Sequence, residues 1–591
     1  MELSILQACH ARREEIEAML NRIEHGRSLL RQWEVSKPTN FYDADEHLQR
    51  VLALRIGMAR LAEAEPLLRQ AGADSGGPVN GACALLDRPE NLPRLESWNG
   101  IGERAEEVVL HPTYHEIGRL VWRSRVLSLL GEPGNVALHT ALAYLFAQNG
   151  EVPHLCPIAC TSGLIKAIQR CGSAWMRREW LPRLLDSDYD RRWHGAQFLT
   201  EVQGGSDVGA NACVARRIPS QQGAWRISGE KWFCSNVHAD LYAVTARPEG
   251  APEGTPGIGL FVVPRRLDDG RLNTVFIRRL KQKLGTRTLP TAEVDFQDAL
   301  SYQLGSLEEG FRVMMGVIIN SSRLGVALGS CGIMRRAWVE AHHYARAREA
   351  FGQRLIEFPA VREQLAEMRA LATAGLSSTL FLASLEDRLT LSGAHPETDP
   401  LFRLGVNINK YVCSTDSGLV VHHGIEILGG NGTIEDFSPL PRLYREVPVE
   451  ESWEGPHNTM MAQILRDARR SKMHDALIGR AEEILLGLRH PALTKLKDLA
   501  ATALEDARGR FSRLLKSNPE AAALGVRGLV QRMARIFQAS LLLEEADHEL
   551  SANRPTPLPA IVEFFLNRYV TADYDPLADS GYSELIRQLV E

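Results

Sequence analysis

Phe198-Leu199-Thr200-Glu201-Val202-Gln203-Gly204-Gly205-Ser206-Asp207 stands where the chain changes character. Upstream, helical spacing dominates. Glu14, Glu15 and Glu17 interleave with Ile16, Met19, Leu20 and Ile23 across residues 1–36, and helical patterns recur over 44–71 and 112–185. Residues 72–81, with four glycines and a proline, read as a loop. From about Trp193 short β-branched and aromatic runs take over, at 225–227, 241–244, 258–263 and 292–296, separated by Gly and Pro. From Glu309 helical patterns return and run to the end, broken at 396–400 and 428–441. The predicted fold is mostly α with a central β domain. It divides into an N-terminal helical extension (1–36), an α domain (37–190), a middle β domain (191–304), a helical bundle (305–475) and a C-terminal helical segment (476–591).

The bulk properties bound the function. With 44% hydrophobic and 24% charged residues and a formal net charge of -5, the 591-residue chain has an ordinary globular composition and no general affinity for polyanions. No uninterrupted apolar run approaches the ~18–20 residues of a membrane span. Met1-Glu2-Leu3-Ser4 lacks the basic-then-apolar pattern of a secretory signal, so a cytoplasmic location is expected. Nine cysteines scattered from Cys9 to Cys413 do not form a disulfide framework. The pair Cys156 and Cys160, with His154 nearby, lacks a second ligand pair, and no metal site is expected.

Several stretches carry chemistry. In 198–207 the glycines permit close backbone approach, and Thr200, Ser206 and free N–H groups suit a polar ligand; a tight turn capped by Ser206 and Asp207 accounts for it equally well. In Ser228-Gly229-Glu230-Lys231-Trp232-Phe233-Cys234-Ser235-Asn236 a regular strand places Phe233 and Ser235 on one face, Trp232 and Cys234 on the other. The first face offers a flat aromatic beside a hydroxyl. Lys281-Gln282-Lys283-Leu284-Gly285-Thr286-Arg287-Thr288-Leu289-Pro290-Thr291 is a basic loop leading into a strand. Tyr344-Ala345-Arg346-Ala347-Arg348-Glu349-Ala350-Phe351-Gly352-Gln353 ends a long helix, with basic residues at its negative pole. Last come Glu426-Ile427-Leu428-Gly429-Gly430-Asn431-Gly432, Arg442-Leu443-Tyr444-Arg445-Glu446 and Trp453-Glu454-Gly455. A Gly-rich turn after a helix can present N–H groups to a phosphate. Packing against Trp453 would desolvate the Glu454 carboxylate and raise its pKa, as a base for a weak carbon acid requires; an ordinary surface carboxylate is the plain alternative.

These five ordered blocks, spanning about 37–475, resemble the acyl-CoA dehydrogenase family. The 201–207 run, the 442–445 run, Trp453 before the glutamate and the helical segment after about 475 are most similar to its adaptive-response (AidB-like) branch. The resemblance implies FAD as cofactor and Glu454 as the base that takes the α-proton of an acyl-CoA while hydride passes to the flavin. It implies flavin contacts at Leu199, Thr200, Gly205, Ser206, Phe233 and Ser235. Arg348 and Phe351 would reach the FAD of a neighbouring subunit, and Glu426, Gly429 and Gly430 would also serve the cofactor. Ser206, Arg323, Trp453 and Gly455 would face substrate. Family members that place the base just before the equivalent of Arg323 have a carboxylate there; here it is Ser322, which favours Glu454. A homo-oligomer, tetramer or dimer, and an electron-transfer flavoprotein as acceptor are further implied. One departure stands out. Where the family has a small hydroxyl residue after Glu-Gly, this chain has Pro456 and then His457. An alternative reading is a DNA-binding or scaffolding flavoprotein. Residues 476–591 hold 14 basic against 16 acidic residues, a net of -2, although 495–535 alone holds nine against four, a net of +5.

Overall fold

The computed structural model describes residues 2–571 and 574–590; Met1 and Glu591, the ends of the outermost predicted segments, lie outside it. Helix α1 (Glu2–Ser36) leads into α2 (Glu46–Ile56), α3 (Met58–Asp74), α4 (Asn80–Leu86), α5 (Pro112–Arg123), α6 (Val136–Ala147), α7 (Leu155–Cys171) and the short α8 (Ala174–Glu179) and α9 (Leu181–Leu184). After the β domain come α10 (Gly310–Val313), α11 (Asn320–Ala347), α12 (Pro359–Leu391), α13 (Pro400–Leu428), α14 (Leu440–Ser452) and α15 (His457–Ser471). The C-terminal segment is α16 (Met473–Gly487), α17 (Thr494–Lys516), α18 (Pro519–Ser551), α19 (Leu558–Tyr569) and α20 (Tyr582–Val590).

Strands β1 (Arg94–Trp98) and β2 (Arg104–Val109) form an antiparallel hairpin inside the predicted α domain, which the sequence reading missed. The middle domain holds β3 (Gly195–Phe198), β4 (Val214–Arg217), β5 (Ala224–Ser235), β6 (Leu241–Pro248), β7 (Gly259–Pro264), β8 (Val275–Leu280) and β9 (Thr291–Gln303). Their order is β3-β6-β4-β5-β9-β7, with β8 on β9; the further β6–β7 pairing closes the sheet on itself. The ring β6-β4-β5-β9-β7 is closed, with β3 and β8 each paired on one side only, and it encloses a separate apolar core that includes Phe198, Tyr242, Phe261 and Val294. The helices on both sides share one larger core, which runs without a break into α16–α20.

Two local readings are corrected. Residues 72–81 are not a loop: a π-helical turn (Ser75–Val79) runs straight into α4. Their glycines serve close packing, since a Cβ at Gly72 would lie 2.6 Å from the Tyr42 N and one at Gly76 2.5 Å from the Thr39 O. The helix read over 1–36 is present as α1; its stripe Ile16, Met19, Leu20 and Ile23 is exposed, and Leu29 and Trp33 are its buried apolar residues. Finally, Gly310–Ala347 and Pro359–Leu391 are long and apolar enough to cross a membrane by length and composition, although 89% of each apolar window is buried inside the protein. Scattered polar residues interrupt the apolar runs in sequence; averaged over a helix they do not.

Candidate active site

The turn that carries Glu454 is built where two helices meet. Helix α14 ends at Ser452, Trp453 is extended, Glu454 takes φ 54 and Gly455 φ 105, and Pro456 opens α15. Left-handed backbone costs a non-glycine residue roughly 1–2 kcal/mol, so the turn needs outside support. Two buried cations supply it. Arg323 on α11 donates Nε to the Glu454 carbonyl at 2.9 Å and also bonds Asn407. Lys410 on α13 donates Nζ to the Glu451 carbonyl at 2.7 Å and the Gly455 carbonyl at 3.2 Å. Burial lowers Arg323 to about 10 and Lys410 to about 8.

The Glu454 side chain accepts from the Gln197 Nε2 at 2.7 Å. Gln197, at the end of β3, is steadied by the Ser322 hydroxyl at 3.0 Å. Burial pushes Glu454 up to about 7, against the opposing pull of Arg323, Gln197 and Lys410. Trp453 packs with Cys156, Cys160 and Leu289, a small apolar cluster beside the turn. The two thiols lie 3.8 Å apart. His457 does not titrate near neutrality: burial, with Lys410 and Arg527 nearby, lowers it to about 4, and its Nε2 is 3.1 Å from the Ser414 hydroxyl.

A buried ion pair positions the 198–207 loop. Lys231 on β5 is fully enclosed and lies 2.8 Å from the Glu201 carboxylate, with further bonds to the Leu199 carbonyl at 2.9 Å and Thr245. Burial alone would raise Glu201; Lys231 and the backbone N–H of Ala212 outweigh it, and the pKa falls. The Trp232 N–H donates to the Thr200 carbonyl at 2.9 Å. A Cβ at Gly205 would sit 2.8 Å from the Thr200 hydroxyl, so a side chain there would displace Thr200. Ser206 is exposed, 3.0 Å from the Thr459 hydroxyl on α15. Thr459, three residues after Pro456, thus places a hydroxyl beside this loop. Ser235 reaches Thr291 at 3.0 Å, and Thr291 in turn accepts from Lys283 at 2.9 Å.

The strict alternation read for 232–235 does not hold. The β5–β9 register shifts between Lys231 and Cys234, so Trp232 and Phe233 both lie beneath the Lys281 ammonium, 3.5 and 4.9 Å from it. Phe233 remains 54% exposed. Arg323, expected at the substrate, is 2% exposed and bonds the Glu454 carbonyl, so it supports the turn that carries the glutamate. Gln197, Ser322, Lys410 and Thr459 were not singled out as site residues from the sequence. An amide, a lysine within a helix and a threonine one turn past Pro456 carry no local signal.

A second group sits apart. Arg323 lies near the start of α11 and Arg348 just past its end, 25 residues on, roughly 37 Å at 1.5 Å per residue. Arg348 caps that helix and leads into a hairpin whose turn bears Phe351, 98% exposed with φ 53. The turn after α13 packs here, Asn431 donating to the Tyr344 hydroxyl at 3.1 Å. Gly429 and Gly430 face open space, and Glu426 accepts from Gln364 at 2.5 Å. Within one chain these residues cannot meet Glu454.

The exposed Phe233 ring, the Thr200, Ser206 and Thr459 hydroxyls and the close approach of Gly205 to Thr200 fit a flat cofactor with polar edges. Fold and site together define a flavoprotein oxidoreductase. Residues 196–299 match "Acyl-CoA dehydrogenase, middle domain", 308–468 match "Acyl-CoA dehydrogenase, C-terminal domain" and 32–191 match "Adaptive response protein AidB N-terminal domain". The chain is 36% identical to the putative acyl-CoA dehydrogenase AidB of Escherichia coli over 64% of this chain and 69% of that one. It is 30% identical to acyl-CoA dehydrogenase family member 11 of Caenorhabditis elegans over 81% and 80%. The crystal structure of C. elegans ACDH-11 in complex with C11-CoA superposes with a TM-score of 0.81 at 27% identity, covering 92% of this chain and 93% of that one. The chain belongs to the acyl-CoA dehydrogenase family.

Proposed function

We propose that this chain dehydrogenates an acyl-CoA thioester between its α and β carbons, with Glu454 as the base. The observation that carries the reading is the Glu454 carboxylate, pushed up to about 7 and held by one amide donor on a turn pinned from behind. At that pKa the carboxylate is present at neutral pH and still basic enough to accept a proton from carbon. Glu454 takes the α-proton, and its backbone N–H polarises the thioester carbonyl. Gln197 fixes the carboxylate's direction, and Arg323 and Lys410 keep the turn from relaxing. Bound FAD would supply the two-electron acceptor for the hydride that leaves the β carbon. The C11-CoA complex of the C. elegans relative supports an acyl-CoA ligand. The separation of Arg348 and Phe351 from Glu454 supports a homo-oligomer in which they complete a neighbour's FAD site. An electron-transfer flavoprotein as acceptor and a cytoplasmic location complete the reading.

The test is anaerobic titration of the purified, FAD-loaded protein with acyl-CoAs of increasing length. Bleaching of the flavin absorbance by one range of lengths supports dehydrogenation; flavin that none of them bleaches overturns it.

One observation favours a second reading, binding of a polyanion such as DNA. Arg466, Arg469 and Arg470 on α15 and Arg527 on α18 line a groove of about 490 Å³. Arg527 belongs to the net-positive 495–535 stretch, four of whose other cations are already paired: Arg508 with Glu482, Arg510 and Arg532 with Asp506, and Arg535 with Asp416; in the groove Arg466 is paired with Asp467. Steeply salt-dependent affinity for duplex DNA, abolished by Arg470→Glu, would support this second reading.

A further inference from the structure

A cavity of about 200 Å³ lies remote from the catalytic turn, where α2, α6, α11 and α12 meet the first turn of α19. Three half-buried arginines line it, Arg50, Arg335 and Arg369. Its carboxylates are already engaged. Asp45 accepts from the Leu48 N–H at 3.1 Å and the Tyr144 hydroxyl at 2.7 Å and pairs with Arg335 at 3.4 Å. Glu46 is exposed and pairs with Arg50 at 2.6 Å. His47 is neutral, lowered to about 4 by burial, and its Nε2 lies between the Thr373 carbonyl and the Ser377 hydroxyl.

What remains is a surplus of donors. Among the described residues Arg369 has no carboxylate partner; its one protein acceptor is the Leu589 carbonyl, 2.6 Å away on α20. The neighbouring Trp338 Nε1 is buried with no acceptor at all. Arg335 and Arg369 both lie over the Trp338 ring, 4.9 and 5.9 Å from its centroid, which keeps the two like charges at one wall. Burial and then the charges of Arg335 and Arg50 lower Arg369, as expected of a cation lacking a counter-ion.

We propose that this cavity binds a small oxyanion of the phosphate class, held by Arg369 with Arg50 and Arg335, and that the bound anion fastens α19 and α20 to the catalytic core. Planar guanidinium forks match oxyanion geometry and give charge-assisted hydrogen bonds. The volume is below the ~300–1,000 Å³ of pockets that enclose drug-sized ligands, which favours a free anion over a nucleotide. Arg369 links the anion to α20 directly, and Pro557, Leu558 and Ile561 form the opposite wall. A ligand bound only by the folded state raises its stability as the logarithm of concentration.

The experiment is thermal unfolding of the full-length, FAD-loaded protein in inorganic phosphate, against sodium chloride at matched ionic strength. A saturable rise in Tm with phosphate alone is expected, at least tenfold weaker in Arg369→Gln. The same rise in chloride, or an unchanged response in Arg369→Gln, overturns the proposal. AMP in parallel separates the sources: a response to AMP with none to phosphate overturns the free-anion assignment. If Arg369→Gln fails to fold, Arg50→Gln, beside the exposed Glu46, serves instead, with weakened phosphate binding expected and unchanged binding overturning the proposal.

Discussion

Arg323 donates through Nε to the main-chain carbonyl of Glu454, 2.9 Å away, and leaves the carboxylate to Gln197. The cation therefore sets the shape of the turn while the neutral amide sets the direction of the base. That division lets Glu454 keep a pKa of about 7, which a direct guanidinium contact would depress. Replacing the carboxylate by its amide should remove proton abstraction and little else. Glu454→Gln is expected to retain bound flavin and to slow its reduction by acyl-CoA at least ~100-fold, measured by anaerobic stopped flow.

The pH dependence has a fixed sign. The active form is the carboxylate, so the rate of flavin reduction should rise as pH increases through about 7 and level off above it. Gln197 donates to the charged form and favours it. Gln197→Leu should therefore move the midpoint of the profile to higher pH as well as lowering the plateau. A midpoint that moves down would contradict the hydrogen bond's assigned role.

The Lys231–Glu201 pair is enclosed beneath the 198–207 loop. Removing one partner leaves the other buried and uncompensated, at a cost of about 3–5 kcal/mol. Lys231→Met should lower Tm and release flavin, read by calorimetry and by absorbance after gel filtration. Lys231→Met combined with Glu201→Leu should recover part of the Tm loss, because no buried charge then remains.

Arg348→Ala tests the shared cofactor site. The side chain lies roughly 37 Å along α11 from Arg323, so the substitution leaves the catalytic turn of its own chain untouched. Weaker FAD binding, with the pH midpoint of the remaining activity unchanged, is the expected result from titration of the apoprotein. Unaltered FAD affinity would remove Arg348 from the cofactor site.

Much of the architecture is legible in the chain. The switch from helical to strand periodicity near Trp193 and back near Glu309 marks the β domain, since those periods reflect local backbone geometry. The hairpin at 94–109 escapes because its strands are only five and six residues long and mostly half-exposed, with charges throughout. The alternation at 232–235 fails because a register shift depends on the partner strand β9.

The amino-acid sequence by itself determined which residues are the candidates: a glutamate between tryptophan and glycine, a glycine-paired loop and an arginine ending a long helix. Those are local signatures, carried by residue type and spacing. Only the tertiary structure decided their roles. Arg323 bonds the carbonyl of Glu454, Thr459 brings its hydroxyl to Ser206, and Gln197, more than 250 positions from Glu454, becomes its partner. The physical reason is that desolvation and hydrogen bonding act over a few ångströms in space, and the groups that impose them on Glu454 come from β3, α11 and α13, elements brought together only by packing.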